Sequence, residues 1–82
     1  MQHRQKIKNY ILENFLFSDD NAAIGDEESL IESGVMDSTG FYELIMFLEE
    51  EFSLVIKPEE MVPVNFDSIQ TVDEFVTRKL AA

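Results

Sequence analysis

Ser38 is the hydroxyl of this chain whose neighbours best suit covalent chemistry. It follows Asp37 directly, stands four residues beyond Gly34, and heads the helix-patterned stretch SGVMDSTGFYELIMFLEEEF from Ser33 to Phe52. Asp and Ser are both favoured at the start of a helix, where a short oxygen-bearing side chain accepts one of the unpaired amide hydrogens of the first turn. Gly34 adds a permissive backbone just upstream. Ser38 therefore sits where free N–H groups and the positive end of the helix dipole meet, and a phosphate carried on its hydroxyl would be stabilised there. A serine at a helix start is, on its own, a plain cap.

Other chemistries lack their parts. A serine nucleophile needs a base within hydrogen-bond reach and a group that orients the base, and the single histidine, His3, lies far upstream. The chain has no cysteine, which excludes a disulfide framework, a Cys-rich zinc site and a cysteine nucleophile together. With no second His or Cys, His3 reads as a terminal surface residue and no metal ligand set is expected. Counted from Asp20, Gly25 falls at the sixth position of a calcium loop, but the third and fifth are Ala22 and Ile24 and the twelfth is Ile31, so the EF-hand pattern fails. No Gly-rich phosphate loop is present, and the many carboxylates read as solvating charge on a domain too small for a deep pocket. Catalysis by this chain alone is not expected.

The element that positions Ser38 is a helix from Thr39 to Phe52. Phe41, Leu44, Ile45, Leu48 and Phe52 recur at i, i+3, i+4, i+7 and i+11, one stripe of a 3.6-residue period that faces a core. Phe47 lies at its edge. Outside the stripe stand Thr39, Tyr42, Glu43, Met46, Glu49 and Glu50, an acidic face carrying one tyrosine and one methionine.

This pattern resembles the acyl carrier protein superfamily, including the peptidyl and D-alanyl carriers. The family signature is a Gly shortly before Asp-Ser-Leu, a Glu-Leu about five residues beyond the Ser, and a helix ending in acidic residues and Phe. Here it reads Gly34, Asp37-Ser38-Thr39, Glu43-Leu44 and Glu49-Glu50-Glu51-Phe52. The resemblance implies that Ser38 carries 4′-phosphopantetheine through a phosphodiester, with Asp37 beside it, and that acyl or aminoacyl groups travel on the arm's thiol as thioesters. It implies that Thr39, Glu43, Met46, Glu49 and Glu50 meet the partner enzymes. Those partners would be a phosphopantetheinyl transferase, an acyl- or aminoacyl-activating ligase and downstream acyl-transferring enzymes. Thr39 departs from the family, which usually has Leu there to help partners grip the helix. An unmodified acidic interaction module of the same fold is the alternative that this departure favours. The carried group, whether fatty, polyketide, aminoacyl or D-alanyl, stays open.

Composition agrees with a small helical domain. The 82 residues make one domain, 1–82, with 45% hydrophobic residues and seven Phe to build a core. The net charge is -11, and all seventeen acidic residues lie between Asn9 and Thr77, where Lys57 is the sole base. That balance argues against nucleic acid, which needs clustered Lys and Arg, and suits a basic protein partner. No apolar run approaches membrane length, and MQHRQKIKNY lacks the apolar core of a signal peptide. A cytoplasmic monomer without membrane insertion is expected.

The fold class expected is all-α, a small four-helix bundle of three main helices and one short helix, with a long loop between helices 1 and 2. The first helix runs from Gln2 to about Phe17, with Ile7, Tyr10 or Ile11, and Phe15 inward. The loop from Ser18 to Asp37 should be anchored by Leu30, Ile31 and Val35, with a helical turn over Glu27 to Ile31. After Phe52 an extended Ser53–Lys57 buries Val55 or Ile56, and Pro58 opens a short turn through Met61 that Pro63 stops. Asn65 to Ser68 form another turn, with Phe66 and Ile69 inward. Thr71 opens the last helix in a capping box with Glu74, and Val72, Phe75, Val76 and Leu80 supply its core stripe.

Overall fold

The computed structural model describes residues 2–18, 20 and 23–81. Helix α1 (Gln2–Ile11) continues into a π-helical turn (Leu12–Leu16). Helix α2 (Ser38–Phe52) follows a long connection, and a 3-10 turn (Pro58–Glu60) leads to the short α3 (Pro63–Phe66) and then to α4 (Ile69–Ala81). The architecture is all-α, three main helices and a short one, as the hydrophobic periods require, and no strand occurs among the described residues.

Each helix buries the stripe its sequence writes. Ile7, Ile11 and Leu12 from α1 and its π turn meet Leu44, Ile45 and Leu48 of α2, Phe66 of α3, and Ile69, Val72, Phe75 and Val76 of α4. Full burial of one such aliphatic or aromatic side chain contributes roughly 1.5–3 kcal/mol. Two aromatic series run through the bundle. Along the α1/α2 seam, Phe15 meets Tyr10 edge-on, Tyr10 stacks on Phe47 at 4.0 Å, and Phe52 closes the row against His3. Behind α2, Phe41, Phe66 and Phe75 meet edge to face, with centroids 5.5 and 5.0 Å apart. α1 and α2 are antiparallel, so His3 packs at the end of α2 remote from Ser38, about 21 Å along the helix at 1.5 Å per residue.

Several local expectations are corrected. In the first connection Leu30 is buried and Val35 packs against the core, but Ile31 is 41% exposed; Ile24 and Met36 are the other buried anchors. The helical turn expected over Glu27 to Ile31 lies two residues later, where the Ser33 N–H donates to the Ser29 carbonyl at 3.1 Å. After α2, Ile56 is buried beside Leu54 while Val55 points out. Pro63 opens α3 at its first position instead of only ending the preceding turn, because its fixed φ and missing N–H suit a helix start.

The last helix begins two residues before Thr71. Ser68 closes it in a reciprocal pair: the Thr71 N–H donates to Ser68 Oγ at 3.1 Å, and the Ser68 N–H donates to Thr71 Oγ1 at 3.1 Å. Thr71 thus plays the part expected of Glu74, a capping box made from two hydroxyls. At the other end of α4, Leu80 is 44% exposed and lies outside the core stripe.

Candidate functional site

The site is built from the turn before α2. Ser33 and Gly34 close on Ser29 and Ile31, and Gly34 takes φ +79°, a left-handed conformation that glycine adopts at little cost. The chain then doubles back, the Met36 N–H donating to the Leu30 carbonyl at 2.9 Å, so that Leu30 and Met36 plug the core together. Asp37 follows in an extended conformation and its Oδ1 accepts the Gly40 N–H at 2.8 Å. Of the two possible caps, the carboxylate does the capping. Ser38 becomes the first helical residue, exposed, with its hydroxyl released from that duty. By helix geometry the amides of Ser38 and Thr39 point out of the same end.

Ser38 lies on the rim of a groove of about 380 Å³. Ile31, Met36, Phe41, Tyr42, Met61 and Pro63 line it, and Asp37 is its one carboxylate. Its floor is closed by Phe41 resting on the buried Phe66. The two walls are tied down from behind. Asp67 holds the Ile31 wall: its Oδ1 accepts the Ser29 hydroxyl at 2.8 Å and the Ile31 N–H at 3.1 Å, and its carbonyl accepts the Leu30 N–H at 2.6 Å. Glu60 holds the Met61–Pro63 wall by accepting the Lys57 N–H at 2.9 Å and the Lys79 ammonium at 3.0 and 3.3 Å. These donors, the Lys57 amide first and then Lys79, keep the Glu60 carboxyl below the usual glutamate range.

The outer face of α2 presents Thr39, Tyr42, Glu43, Met46 and Glu50 to solvent, Met46 at 60% exposure. Glu49 departs from the other acids. It is half-buried, and its Oε2 accepts the Ile56 N–H at 3.0 Å, fastening the chain that leaves the helix. On the other flank a second groove of about 470 Å³ runs between α1 and α2, lined by Tyr10, Asn14, Glu43, Met46, Phe47, Glu50 and Glu51. Burial, with a smaller contribution from the Glu43 charge, pushes the Tyr10 phenol above its ordinary value. Its hydroxyl donates to the Glu43 carbonyl at 3.3 Å.

Sequence reasoning missed Gly40. It is buried at the start of α2, and a Cβ there would lie 2.6 Å from Cε1 of Phe15. Its only sequence signal was a glycine two residues into a helix, where intrinsic preference disfavours it.

The fold and this site together form a small helical domain with a capped helix start that leaves one serine exposed beside a shallow apolar groove. No family model matches the chain. It is similar to a probable acyl carrier protein, PigG, of Serratia sp. (strain ATCC 39006), with 29% identity over 73 residues that cover 89% of this chain and 83% of that protein. This likeness bears out the resemblance to the acyl carrier protein superfamily that the Asp37-Ser38 motif carries. No described helix is long and apolar enough to cross a membrane.

Proposed function

We propose that this chain is an acyl carrier protein whose Ser38 bears 4′-phosphopantetheine. The observation that carries the reading is the division of labour at the head of α2: Asp37 caps the helix, leaving the Ser38 hydroxyl exposed at the positive end of the dipole and on the rim of the apolar groove. In loading, Ser38 Oγ forms a P–O bond to the phosphopantetheinyl group of coenzyme A as the bond to adenosine 3′,5′-bisphosphate breaks. Its proton passes to the base of the transferase. The Ser38 and Thr39 amides suit the resulting phosphodiester. When bound, the arm supplies the thiol that the chain lacks, on which acyl or aminoacyl groups are held as thioesters.

The remaining residues act through recognition. Glu43, Glu50, Met46 and Thr39 form the docking face for the transferase, the activating ligase and the acyl-transferring enzymes, with acidic charge speeding encounter with basic patches. Glu49 contributes charge while holding Ile56. Because Thr39 is polar and exposed where carriers usually have Leu, the second reading is an unmodified interaction module of the same fold.

Intact mass after incubation with coenzyme A and a broad-specificity phosphopantetheinyl transferase decides between them. The parent is expected to gain one phosphopantetheine and Ser38→Ala none. A folded parent that gains nothing with several transferases, while Thr39→Leu does, establishes the interaction module. Glu43→Lys and Glu50→Lys should slow loading and flatten its salt dependence with folding intact; unchanged kinetics would remove this face as the docking surface.

A further inference from the structure

We infer that Gly40 and Phe15 are positioning residues for Ser38, which sets the pitch of the modified serine from a different helix. The inference rests on the carrier reading above. Gly40 is fixed on two sides: its N–H is held by Asp37 at 2.8 Å, and its bare Cα faces the Phe15 ring and the side chain of Met36. A Cβ would lie 2.6 Å from Phe15 Cε1 and 3.3 Å from Met36 Cγ, the first well inside the roughly 3.5–4.0 Å at which carbon atoms rest.

Phe15 reaches this place because α1 ends in a π turn, a wider winding that changes the direction in which its side chains leave the axis. Its ring is backed by Tyr10, and Tyr10 is stacked on Phe47 of α2 itself. Pressure on the ring is therefore returned to α2, and the part of that helix in contact with the ring is its first turn, at Gly40. Ser38 sits two residues before the contact, so its hydroxyl moves with that turn. Positioning errors of about an ångström cost up to roughly 100-fold in rates that depend on alignment.

The test compares Gly40→Ala, Phe15→Leu and the double variant Gly40→Ala/Phe15→Ala, reading the Ser38 and Thr39 amide resonances by NMR and loading by a timed intact-mass assay. Gly40→Ala should keep its helical circular dichroism, shift both resonances, and lower kcat/KM for loading on the order of tenfold. The double variant should return both resonances and loading to near the parent although it unfolds more easily than Gly40→Ala, a rescue that a purely stabilising contact would not give. Loading at the parent rate with unshifted resonances in Gly40→Ala, or a double variant no better than the single, would overturn the inference. If Gly40→Ala does not fold, Phe15→Leu decides: a shifted Ser38 amide supports the contact and an unshifted one overturns it. A parent that takes no phosphopantetheine sinks the carrier reading alone, and the amide shifts then decide the positioning.

Discussion

The two connections that flank α2, residues 17–37 before it and 53–68 after it, each supply one wall of the Ser38 groove, yet they are held in different ways. Among the described residues the first is built of short turns and is fixed by buried anchors, Ile24, Leu30 and Met36, together with charge. Asp26 accepts Lys8 at 3.0 Å and Arg4 at 3.4 Å, Arg4 continues to Asp73 at 3.0 Å, and the Gln70 N–H donates to the Asp26 carbonyl at 2.9 Å. The second connection contains a 3-10 turn and α3, so it satisfies much of its own backbone and buries Leu54, Ile56 and Phe66. Its ionic tie, Glu60 to Lys79, fastens a segment already folded. Two of α1's cations thus tie the first connection, against one of α4's for the second.

Core truncation should produce the largest contrast. Phe66→Ala removes a fully buried ring that supports both Phe41 and Phe75, and a loss of about 3–5 kcal/mol is expected from denaturant unfolding. Leu30→Ala should cost about 2–4 kcal/mol. Equal losses, or a larger one for Leu30, would show that the first connection depends on its apolar anchors as much as the second.

The ionic ties should then separate the two connections. Arg4→Met leaves the buried Asp73, whose Oδ1 has no partner among the described residues, without its cation, and about 2 kcal/mol should be lost. Asp26 is held below its ordinary value, first by the hydrogen bond from Lys8 and then by the charges of Lys8 and Arg4. A depressed carboxyl stabilises the fold above the unfolded-state pKa and loses that contribution as pH falls through the folded one. The stability difference between parent and Asp26→Asn should therefore be constant at neutral pH and close below about pH 4. A difference that persists unchanged in acid would mean that the Asp26 charge does not carry the tie, and no difference at any pH would mean that Asp26 works through its backbone carbonyl alone.

The smallest effect is expected at Glu60. Its depressed pKa has the same sign as that of Asp26, but the second connection is held by its own turns. Glu60→Gln should raise amide exchange at Lys57 while leaving the unfolding midpoint nearly unmoved. A midpoint shift as large as that of Asp26→Asn would erase the distinction between the connections.

What the sequence reveals follows the same division. The stripe of α2 and the Asp37-Ser38 start are local patterns, and the structure places Leu44, Ile45 and Leu48 in the core as their spacing requires. Leu30 and Ile31 are adjacent, and periodicity in a turn-rich segment gives no means of choosing between them. Ser68 and Thr71 carry a capping box in hydroxyls, so Glu74 three residues past Thr71 drew the helix start too late. Glu49 shares the spacing of the exposed acids, and its bond to Ile56 depends on where the later chain returns. Gly40 is illegible because its role is defined by a contact between helices, and the π turn because its wider backbone winding leaves no mark in the side-chain pattern.

The two tyrosines divide the molecule optically. With no tryptophan to mask them, Tyr10 lies in the α1/α2 seam against Phe47 while Tyr42 is 58% exposed on the groove beside Ser38. Their near-ultraviolet signals come from separate places, the first reporting whether the bundle is assembled and the second whether something has settled at the mouth of the groove. A Tyr10→Phe variant leaves Tyr42 as the single phenolic chromophore, an internal probe of the serine's surroundings that needs no attached dye.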